Sequence, residues 1–395
     1  HGELLTGHTE WVNAVACAVV GGRPVAVTGS DDHTVRVWNL ATGHQHGELL
    51  TGHTEWVNAV ACAVVGGRPV AVTGSDDDTA RVWDLTTGHQ HGEPLVGHFS
   101  SVKAVACTVV DGRPVAVTGS DDRTVRVWDL TTGHQHGEPL AGPEWVNTAA
   151  RAASRGRPVA VTAPATGHTK WVNAVACAVV DGRPVAVTGS DDRTVRVWDL
   201  TTGRLRGEPL TGHTGSVNAV ACAVVDGRPV AVTGSDDRTV RVWDLISGRP
   251  RGEPLTGHTD FVNAVACVVV DGRPVAVTGS GDNTLRIWDL TTGHQHGEPL
   301  AGPDWVNAVA CAVVDGRPVA VTGSDDNAVR IWDLGTGQCI DRIILPAPCH
   351  ALALGDGDRL FVGFGADVVL LTRASPPSPG RPAHGRADTT TQEDA

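Results

Sequence analysis

A repeat of about 45 residues runs through most of the chain and limits the folds that it can adopt. The histidine of each Gly-His pair marks the repeat, with intervals of 45 residues within two groups: His8, His53 and His98, then His168, His213 and His258. From His98 to His168 the interval is 70 residues, which is one period plus 25. A period of roughly 20–50 residues is typical of solenoids and propellers, whose units bury apolar surface against their neighbours.

Within one unit the residue pattern predicts β-strands and no helix. The apolar run VNAVACAVV, the short run VAVTGS and the alternating run TVRVWDL are separated by turns rich in Gly, Pro and Asp. Residues Val125 to Trp128 alternate with the two-residue period of a strand. A short segment ahead of the next Gly-His pair predicts a fourth strand. We therefore predict an all-β fold of stacked, four-stranded antiparallel units.

The unit resembles the WD-repeat family, in the bacterial form with near-identical tandem repeats. The segment from Gly52-His53 to Trp83-Asp84 has the family's two ends, and the Trp recurs at fixed spacing (once as Trp-Asn) in seven units: Trp38, Trp83, Trp128, Trp198, Trp243, Trp288 and Trp332. The resemblance covers residues 1–334 and, more weakly, 339–373. It implies a closed β-propeller of four-stranded antiparallel blades with a narrow central channel.

The departures from the repeat predict the domain organisation. We expect one propeller over residues 1–373 with about eight blades, the last of them a degenerate blade at 349–373. Its fourth strand is expected from Glu3-Leu4-Leu5, which would close the ring and cover both sheet edges. Residues 142–167 have the first two strands of a unit without its Trp strand, and are interpreted as a half-module. Residues 374–395 show no apolar periodicity and predict a disordered tail.

The resemblance also implies a hydrogen-bonded tetrad of His, Thr, Asp and Trp in each complete unit. The matching residues are His8, Thr28, Asp32, Trp38; His53, Thr73, Asp77, Trp83; His98, Thr118, Asp122, Trp128; His168, Thr188, Asp192, Trp198; His213, Thr233, Asp237, Trp243; and His258, Thr278, Asp282, Trp288. Gly302-Pro303 replaces Gly-His in the unit that ends at Trp332. We interpret the tetrads as structural networks, because six near-identical triads make no sense for one active site. No catalytic residue is assigned.

A ring of surface residues is the candidate partner-binding face. Before the Val that opens each first strand stands an aromatic residue: Trp11, Trp56, Trp145, Trp171, Phe261 or Trp305, with Ser101 and Ser216 as exceptions. Before each tetrad Asp stands another acid: Asp31, Asp76, Asp121, Asp191, Asp236 or Asp325, with Gly281 as the exception. The resemblance places both sets on one rim, where they would dock a basic segment. The alternative is that the Trp side chains pack on neighbouring blades and the Asp side chains cap turns.

Metal and cofactor sites are not expected. Paired histidines in the GHQHGE turns, such as His44 and His46, have the spacing of a metal site, but Arg204 and Arg206 occupy the same positions in another unit. Arg is not an ordinary metal ligand, so the shared property is a solvated, basic turn. No nucleotide-binding or hydrolase motif is present either.

Charge, cysteines and repeats together predict the function. A net charge of −13 argues against nucleic-acid binding, and no apolar stretch is long enough to span a membrane. Seven of the nine cysteines recur in apolar runs, which favours a reducing, cytoplasmic setting. We expect a monomeric, non-catalytic scaffold that binds proteins or peptides, including ones with basic segments. The alternative is the sensor region of a larger signalling enzyme with an ATPase, kinase or protease domain upstream, since the sequence begins within a repeat, as a fragment would.

Overall fold

The computed structural model describes residues 2–140, 167–314, 316–354 and 359–372, and within these ranges all regular structure is β-strand. In the described part of the chain, no helix is long and apolar enough to cross a membrane. The proposed half-module, apart from Gly167, and the tail at 374–395 lie outside the described residues.

The strands group into eight antiparallel sheets, here called blades 1 to 8. The first strand is β1 (Gly2–Thr6), which belongs to blade 8. Blade 1 contains β2 (Val12–Val20), β3 (Arg23–Ser30), β4 (Val35–Asn39) and β5 (His44–Gln45). Blade 2 contains β6 (Val57–Val65), β7 (Arg68–Ser75), β8 (Thr79–Asp84), β9 (His89–Gln90) and β10 (Leu95–Val96). Blade 3 contains β11 (Val102–Val110), β12 (Arg113–Ser120) and β13 (Val125–Asp129).

The remaining blades repeat the same order. Blade 4 contains β14 (Val172–Val180), β15 (Arg183–Ser190), β16 (Val195–Asp199) and β17 (Arg204–Leu205). Blade 5 contains β18 (Val217–Val225), β19 (Arg228–Ser235), β20 (Val240–Asp244) and β21 (Arg249–Pro250). Blade 6 contains β22 (Val262–Val270), β23 (Arg273–Ser280), β24 (Thr284–Asp289) and β25 (Leu300–Ala301). Blade 7 contains β26 (Val306–Val314), β27 (Arg317–Ser324), β28 (Ala328–Asp333) and β29 (Gln338–Ile344), and blade 8 adds β30 (Cys349–Leu354), β31 (Arg359–Phe364) and β32 (Asp367–Thr372) to β1.

The blades form a closed ring through their innermost strands. Strand β2 contacts β6, and the series of contacts between innermost strands continues through β11, β14, β18, β22, β26 and β30. Strand β30 contacts β2 again, which closes the ring. Blade 3 therefore packs directly on blade 4, although residues 141–166 lie between them in sequence. The contact is close: a Cβ added to Gly119 of blade 3 would lie 2.7 Å from Cγ1 of Val172 in blade 4. The described strands thus form a closed ring of eight blades.

The two ends of the propeller meet in blade 8. Strand β1 pairs antiparallel with β32, and Leu4 lies opposite Val369. This pairing confirms the closing strand predicted from Glu3-Leu4-Leu5, and it covers an edge that β32 would otherwise expose.

The core lies between the blades. In a typical interface, Val187 and Val197 of blade 4 pack with Ala231 and Trp243 of blade 5, and all four are at most 5% exposed. The second strand of each blade is apolar on both sides because it lies in the middle of the sheet and a blade covers each of its faces. This explains why the run VAVT continues without alternation.

Candidate functional site

Each of blades 1 to 6 has a buried relay of four side chains. In blade 5, Trp243 Nε1 donates to Thr233 Oγ1 at 2.9 Å, Thr233 lies 2.8 Å from His213 Nε2, and His213 Nδ1 lies 2.8 Å from Asp237 Oδ2. Because an ionised carboxylate can only accept, the proton between His213 and Asp237 lies on His213 Nδ1, and in the neutral ring Nε2 then accepts the proton of Thr233. The same three contacts, at 2.7–3.0 Å, join the tetrads built on His8, His53, His98, His168 and His258.

The relay links three segments that are distant in the repeat. The His follows the outer strand of the preceding blade, the Thr lies on the second strand, and the Asp lies in the turn after that strand. Burial by itself raises the pKa of Asp122, but hydrogen bonds from His98 and Thr124 outweigh burial and lower that pKa to about 2. The carboxylate therefore stays ionised and holds the turn against the His.

The geometry argues against catalysis by the tetrads. An Asp, a His and a hydroxyl in sequence resemble a nucleophilic triad. The Thr hydroxyl, however, is enclosed: Thr233 is 0% exposed and already accepts the Trp243 indole proton. No substrate atom can reach it without unfolding the blade.

Blade 7 lacks the His, and its Asp has another partner. Trp332 Nε1 still donates to Thr322 Oγ1 at 3.0 Å. The carboxylate of Asp326 instead accepts both Nη groups of Arg330, with Nη1 at 3.0 Å, and Nη2 of Arg342 at 3.4 Å. Burial raises the pKa of Asp326, and the Arg330 hydrogen bonds outweigh burial and lower it.

The predicted aromatic residues lie half exposed on one rim. Their exposed fractions run from 46% to 55%: Trp11, Trp56, Trp171, Phe261 and Trp305. Trp145 lies outside the described residues. Each is held beside the turn of its own blade, as where Asp31 N donates to Trp11 O at 2.9 Å. Trp11 also stacks on His350 of the neighbouring blade 8, with ring centroids 5.0 Å apart. One side of that Trp is thus packed and the rest faces solvent.

The acidic positions beside the aromatics are partly buried. Asp31, Asp76, Asp191, Asp236 and Asp325 each accept a hydrogen bond from an Asn at 2.5–2.7 Å. One oxygen of each of these carboxylates therefore has a structural partner. Asp121 differs, because its Oδ1 is buried without a hydrogen-bond partner, and burial raises its pKa.

The Asn partners form a ring that the sequence prediction missed. They occupy a β-bulge in the innermost strand of their blade, as at Asn13 between Val12 and Ala14. A bulge turns a side chain out of the regular alternation. Lys103 occupies the bulge of blade 3 and bonds Asp76 of blade 2 at 2.8 Å, which leaves Asp121 without that partner. The available signal was a polar residue repeated as the second member of an otherwise apolar strand.

The central channel opens inside this ring. It has a volume of about 380 Å³ and is lined mainly by Ala and Val of the innermost strands, with Asn13, Asn58 and His350 as polar members. The cysteines of these strands are poor nucleophiles, since burial raises the pKa of Cys62 and of Cys222 to about 12.

Metal ligation finds no support in the GHQHGE turns. Within the ranges that the structure describes, no cluster of three or more His, Cys, Asp or Glu side chains has metal-binding geometry. Gln45, between His44 and His46, instead accepts from Nη1 of Arg36, which ties this turn to the third strand.

A closed ring of eight antiparallel blades, six of which carry these tetrads, defines a β-propeller of the repeat type. The family model described as "WD domain, G-beta repeat" matches residues 2–39, 45–84, 90–129, 158–199, 204–244, 248–289 and 293–333. These matches span well over half of the chain, which therefore belongs to the WD40 family. No curated protein matches the sequence.

A solved structure shows the same architecture. The crystal structure of the computationally designed Ika8 protein is 25% identical and has a TM-score of 0.71, and the match covers 94% of this chain and 100% of the Ika8 chain. WD40 propellers commonly serve as protein-interaction scaffolds.

Proposed function

We propose that this chain is a non-catalytic scaffold that binds partner proteins or peptides through the rim that carries Trp11, Trp56, Trp171, Phe261 and Trp305. The observation that carries the proposal is that these large aromatic side chains share one face and remain about half exposed. Half-exposed aromatic rings on a rigid platform lose little conformational entropy on binding, and Trp is one of the residues enriched at binding hot spots.

The surrounding charge supports a basic partner. The acidic positions Asp31, Asp76, Asp121, Asp191, Asp236 and Asp325 lie beside the aromatic ring and add negative potential to it. Each Asn hydrogen bond occupies only one oxygen of its carboxylate. The net charge of −13 opposes binding to nucleic-acid phosphates. The cysteine pattern supports a reducing compartment such as the cytoplasm.

The double variant Trp56→Ala with Trp171→Ala tests the proposal. Its matched control is Val64→Ser with Val179→Ser, because these valines are 62% and 61% exposed near the opposite ends of the innermost strands of the same two blades. We expect the Trp variant to lose at least about tenfold in capture of partner proteins from a host lysate, and the control to capture as the parent does. Circular dichroism checks that both variants fold.

Two results would contradict this assignment. If the Trp variant captured partners as well as the parent does, the aromatic rim would not be part of the binding surface. Loss of capture by the Val variant alone would place binding at the opposite mouth of the channel.

A further inference from the structure

The rim face differs in charge between its two halves, and the difference follows the order of the blades. We propose that the face binds a partner segment in one orientation, with a Lys/Arg-rich stretch over blades 6, 7, 8, 1 and 2 and an Asp/Glu-rich stretch over blades 3, 4 and 5. This inference rests on the proposed binding function and goes beyond it, because it assigns partner polarity.

The first half combines acids with aromatics. In four of its five blades the residue before the rim aromatic is acidic: Asp260-Phe261, Asp304-Trp305, Glu10-Trp11 and Glu55-Trp56. Blade 8 completes this half through His350, which stacks on Trp11. Because blades 6, 7, 8, 1 and 2 are consecutive in the ring, the acid–aromatic pairs form one continuous arc, here called the acidic arc.

The second half replaces these features with basic side chains. Blades 3 and 5 have Ser100-Ser101 and Gly215-Ser216 at the same positions, and blade 4 has Lys170 before Trp171. In the turn that follows each tetrad Asp, these three blades place an exposed Arg: Arg123, Arg193 and Arg238. The other blades of the repeat have His33, Asp78, Asn283 and Asn327 there. We call the three arginines the Arg arc.

The Arg arc is not explained by the backbone. Arg193 and Arg238 both have φ of 70°, in the left-handed region that favours Gly, Asn and Asp. Asn283, which occupies the same turn in blade 6, suits that conformation better. Acidic residues also occur in this half, but Asp191 and Asp236 are partly buried and bonded to Asn, whereas the arginines project into solvent.

The chemistry of each arc selects its ligand. A carboxylate next to the face of a half-exposed Trp favours a Lys or Arg side chain through charge and cation–π attraction. Exposed guanidinium groups favour carboxylates, which they can bind with two parallel hydrogen bonds. One extended segment with opposite charges at its two ends satisfies both arcs at once and is repelled when reversed.

Charge-reversal variants on the rim, compared with a matched control away from it, test the proposal. The variant Glu10→Lys with Glu55→Lys changes the acidic arc, and Arg193→Glu with Arg238→Glu changes the Arg arc. The matched control, Glu48→Lys with Glu93→Lys, makes the same charge change in the exposed outer turns of blades 1 and 2. The probes are three fluorescein-labelled peptides of equal length: one rich in Lys and Arg, one rich in Asp and Glu, and one with a basic and an acidic half. Binding is measured by fluorescence anisotropy at low salt.

The expected pattern separates position from net charge. The basic peptide should bind the acidic-arc variant about tenfold more weakly than the control variant, although the two proteins have the same net charge. The Arg-arc variant should bind the basic peptide at least as tightly as the parent does, and the acidic peptide more weakly. The two-part peptide should lose affinity for both arc variants. Equal weakening by the acidic-arc variant and its control would overturn the proposal.

A spin label then tests orientation. A nitroxide on the basic end of the two-part peptide should broaden the indole NMR signals of Trp11 and Trp56 but not that of Trp171, and a nitroxide on the acidic end should do the reverse. Equal broadening from both ends would overturn a single orientation. The proposal would also be overturned if no peptide bound. It would be overturned as well if the parent protein dimerised and the arc variants did not, because the arcs would then bind a second copy of the chain. If the Trp56 and Trp171 double variant lost capture of partners from lysate, the scaffold function would still be supported. Failure of the charge proposal can therefore be distinguished from failure of the scaffold function.

Discussion

Blades 5 and 7 solve the same electrostatic problem with different residues. In blade 5, His213 binds the carboxylate of Asp237, and the guanidinium of Arg241 lies over Gly212, where an added Cβ would be 2.8 Å from Nη1. In blade 7 there is no His to bind Asp326, and Arg330 pairs with it instead. The Nη1 of Arg330 would lie 3.9 Å from a Cβ at Gly302, farther than in blade 5.

This difference between blades 5 and 7 shows that the partly buried carboxylate in the turn requires a hydrogen-bonding cationic or neutral donor, and that this donor can be an Arg in place of the His. The Nε of Arg241 is buried without a hydrogen-bond partner, and so is the equivalent atom of Arg36, Arg81, Arg126 and Arg286 in other tetrad blades. In each of these blades the guanidinium lies against the glycine of the Gly-His pair, and the His bonds the carboxylate. When the Gly-His pair becomes Gly302-Pro303, an arginine already present in the repeat becomes the partner.

Removing the Thr hydroxyl should show the largest contrast between the two blades. Thr233→Val leaves both Trp243 Nε1 and His213 Nε2 buried without partners, and should lower the free energy of unfolding by about 3–5 kcal/mol, since each such group costs about 1–3 kcal/mol. Thr322→Val leaves only the Trp332 indole without a hydrogen-bond partner, and should lower the free energy of unfolding by about 1–2 kcal/mol. Urea denaturation of both variants measures the difference. Equal losses would mean that the His adds nothing to the relay.

Removing the arginine should reverse that order. Arg330→Met leaves the partly buried Asp326 with the more distant Arg342 and with Ser324. This change should cost about 2–3 kcal/mol, less than the loss of a fully buried pair, because both groups keep some access to water. Arg241→Met removes a guanidinium whose Nε has no partner and leaves the His213–Asp237 contact intact, so the loss should be under about 1 kcal/mol. An Arg241 variant as unstable as the Arg330 variant would contradict the exchange of partners.

Acid should weaken both blades through their carboxylates. Burial raises the pKa of Asp237 and of Asp326, but hydrogen bonds from His213 and Arg330 respectively outweigh it, so both folded-state values lie below the unfolded value of about 4. Each carboxylate therefore contributes stability that is present above about pH 4 and is lost as pH falls through its folded-state pKa. Asp237→Asn and Asp326→Asn should each make the fall in stability between pH 5 and pH 3 shallower by about 1 kcal/mol. Urea midpoints across this range measure the slope, and a slope equal to the parent's in either variant would contradict the pKa direction.

The smallest effect should come from the turn residue beside each carboxylate. Arg238 in blade 5 has φ of 70°, and Asn327 in blade 7 has φ of 60°. Asn tolerates this left-handed conformation better than Arg. Arg238→Asn should therefore raise the free energy of unfolding by about 0.5 kcal/mol, and Asn327→Arg should lower it by a similar amount. Thermal unfolding by calorimetry resolves such shifts, and opposite signs would show that the Arg side chain makes a stabilising contact.

The repeat by itself predicted stacked units of antiparallel strands and their order, and the resemblance to the WD-repeat family predicted that these units close into a propeller. Period, turn residues and the two-residue alternation are local properties, and a unit with two apolar faces has to stack. Local sequence also predicted that Glu3-Leu4-Leu5 supplies a strand, because the last blade had only three apolar runs and the first residues of the chain repeat an outer-strand sequence. The tetrad residues were found by matching each unit to the family, and the structure brings all six sets together.

Only the tertiary structure decided which side chain takes which partner. The pairing of Arg330 with Asp326, the bulge that aims Asn13 at Asp31, and the direct packing of Gly119 on Val172 all depend on contacts through space. A strand pattern records which residues are apolar, whereas a hydrogen bond depends on ångström-scale distances between segments that are far apart in the chain. The division of the rim into two charged arcs has the same origin, since ring closure makes blades 6 and 7 neighbours of blades 1 and 2 through blade 8.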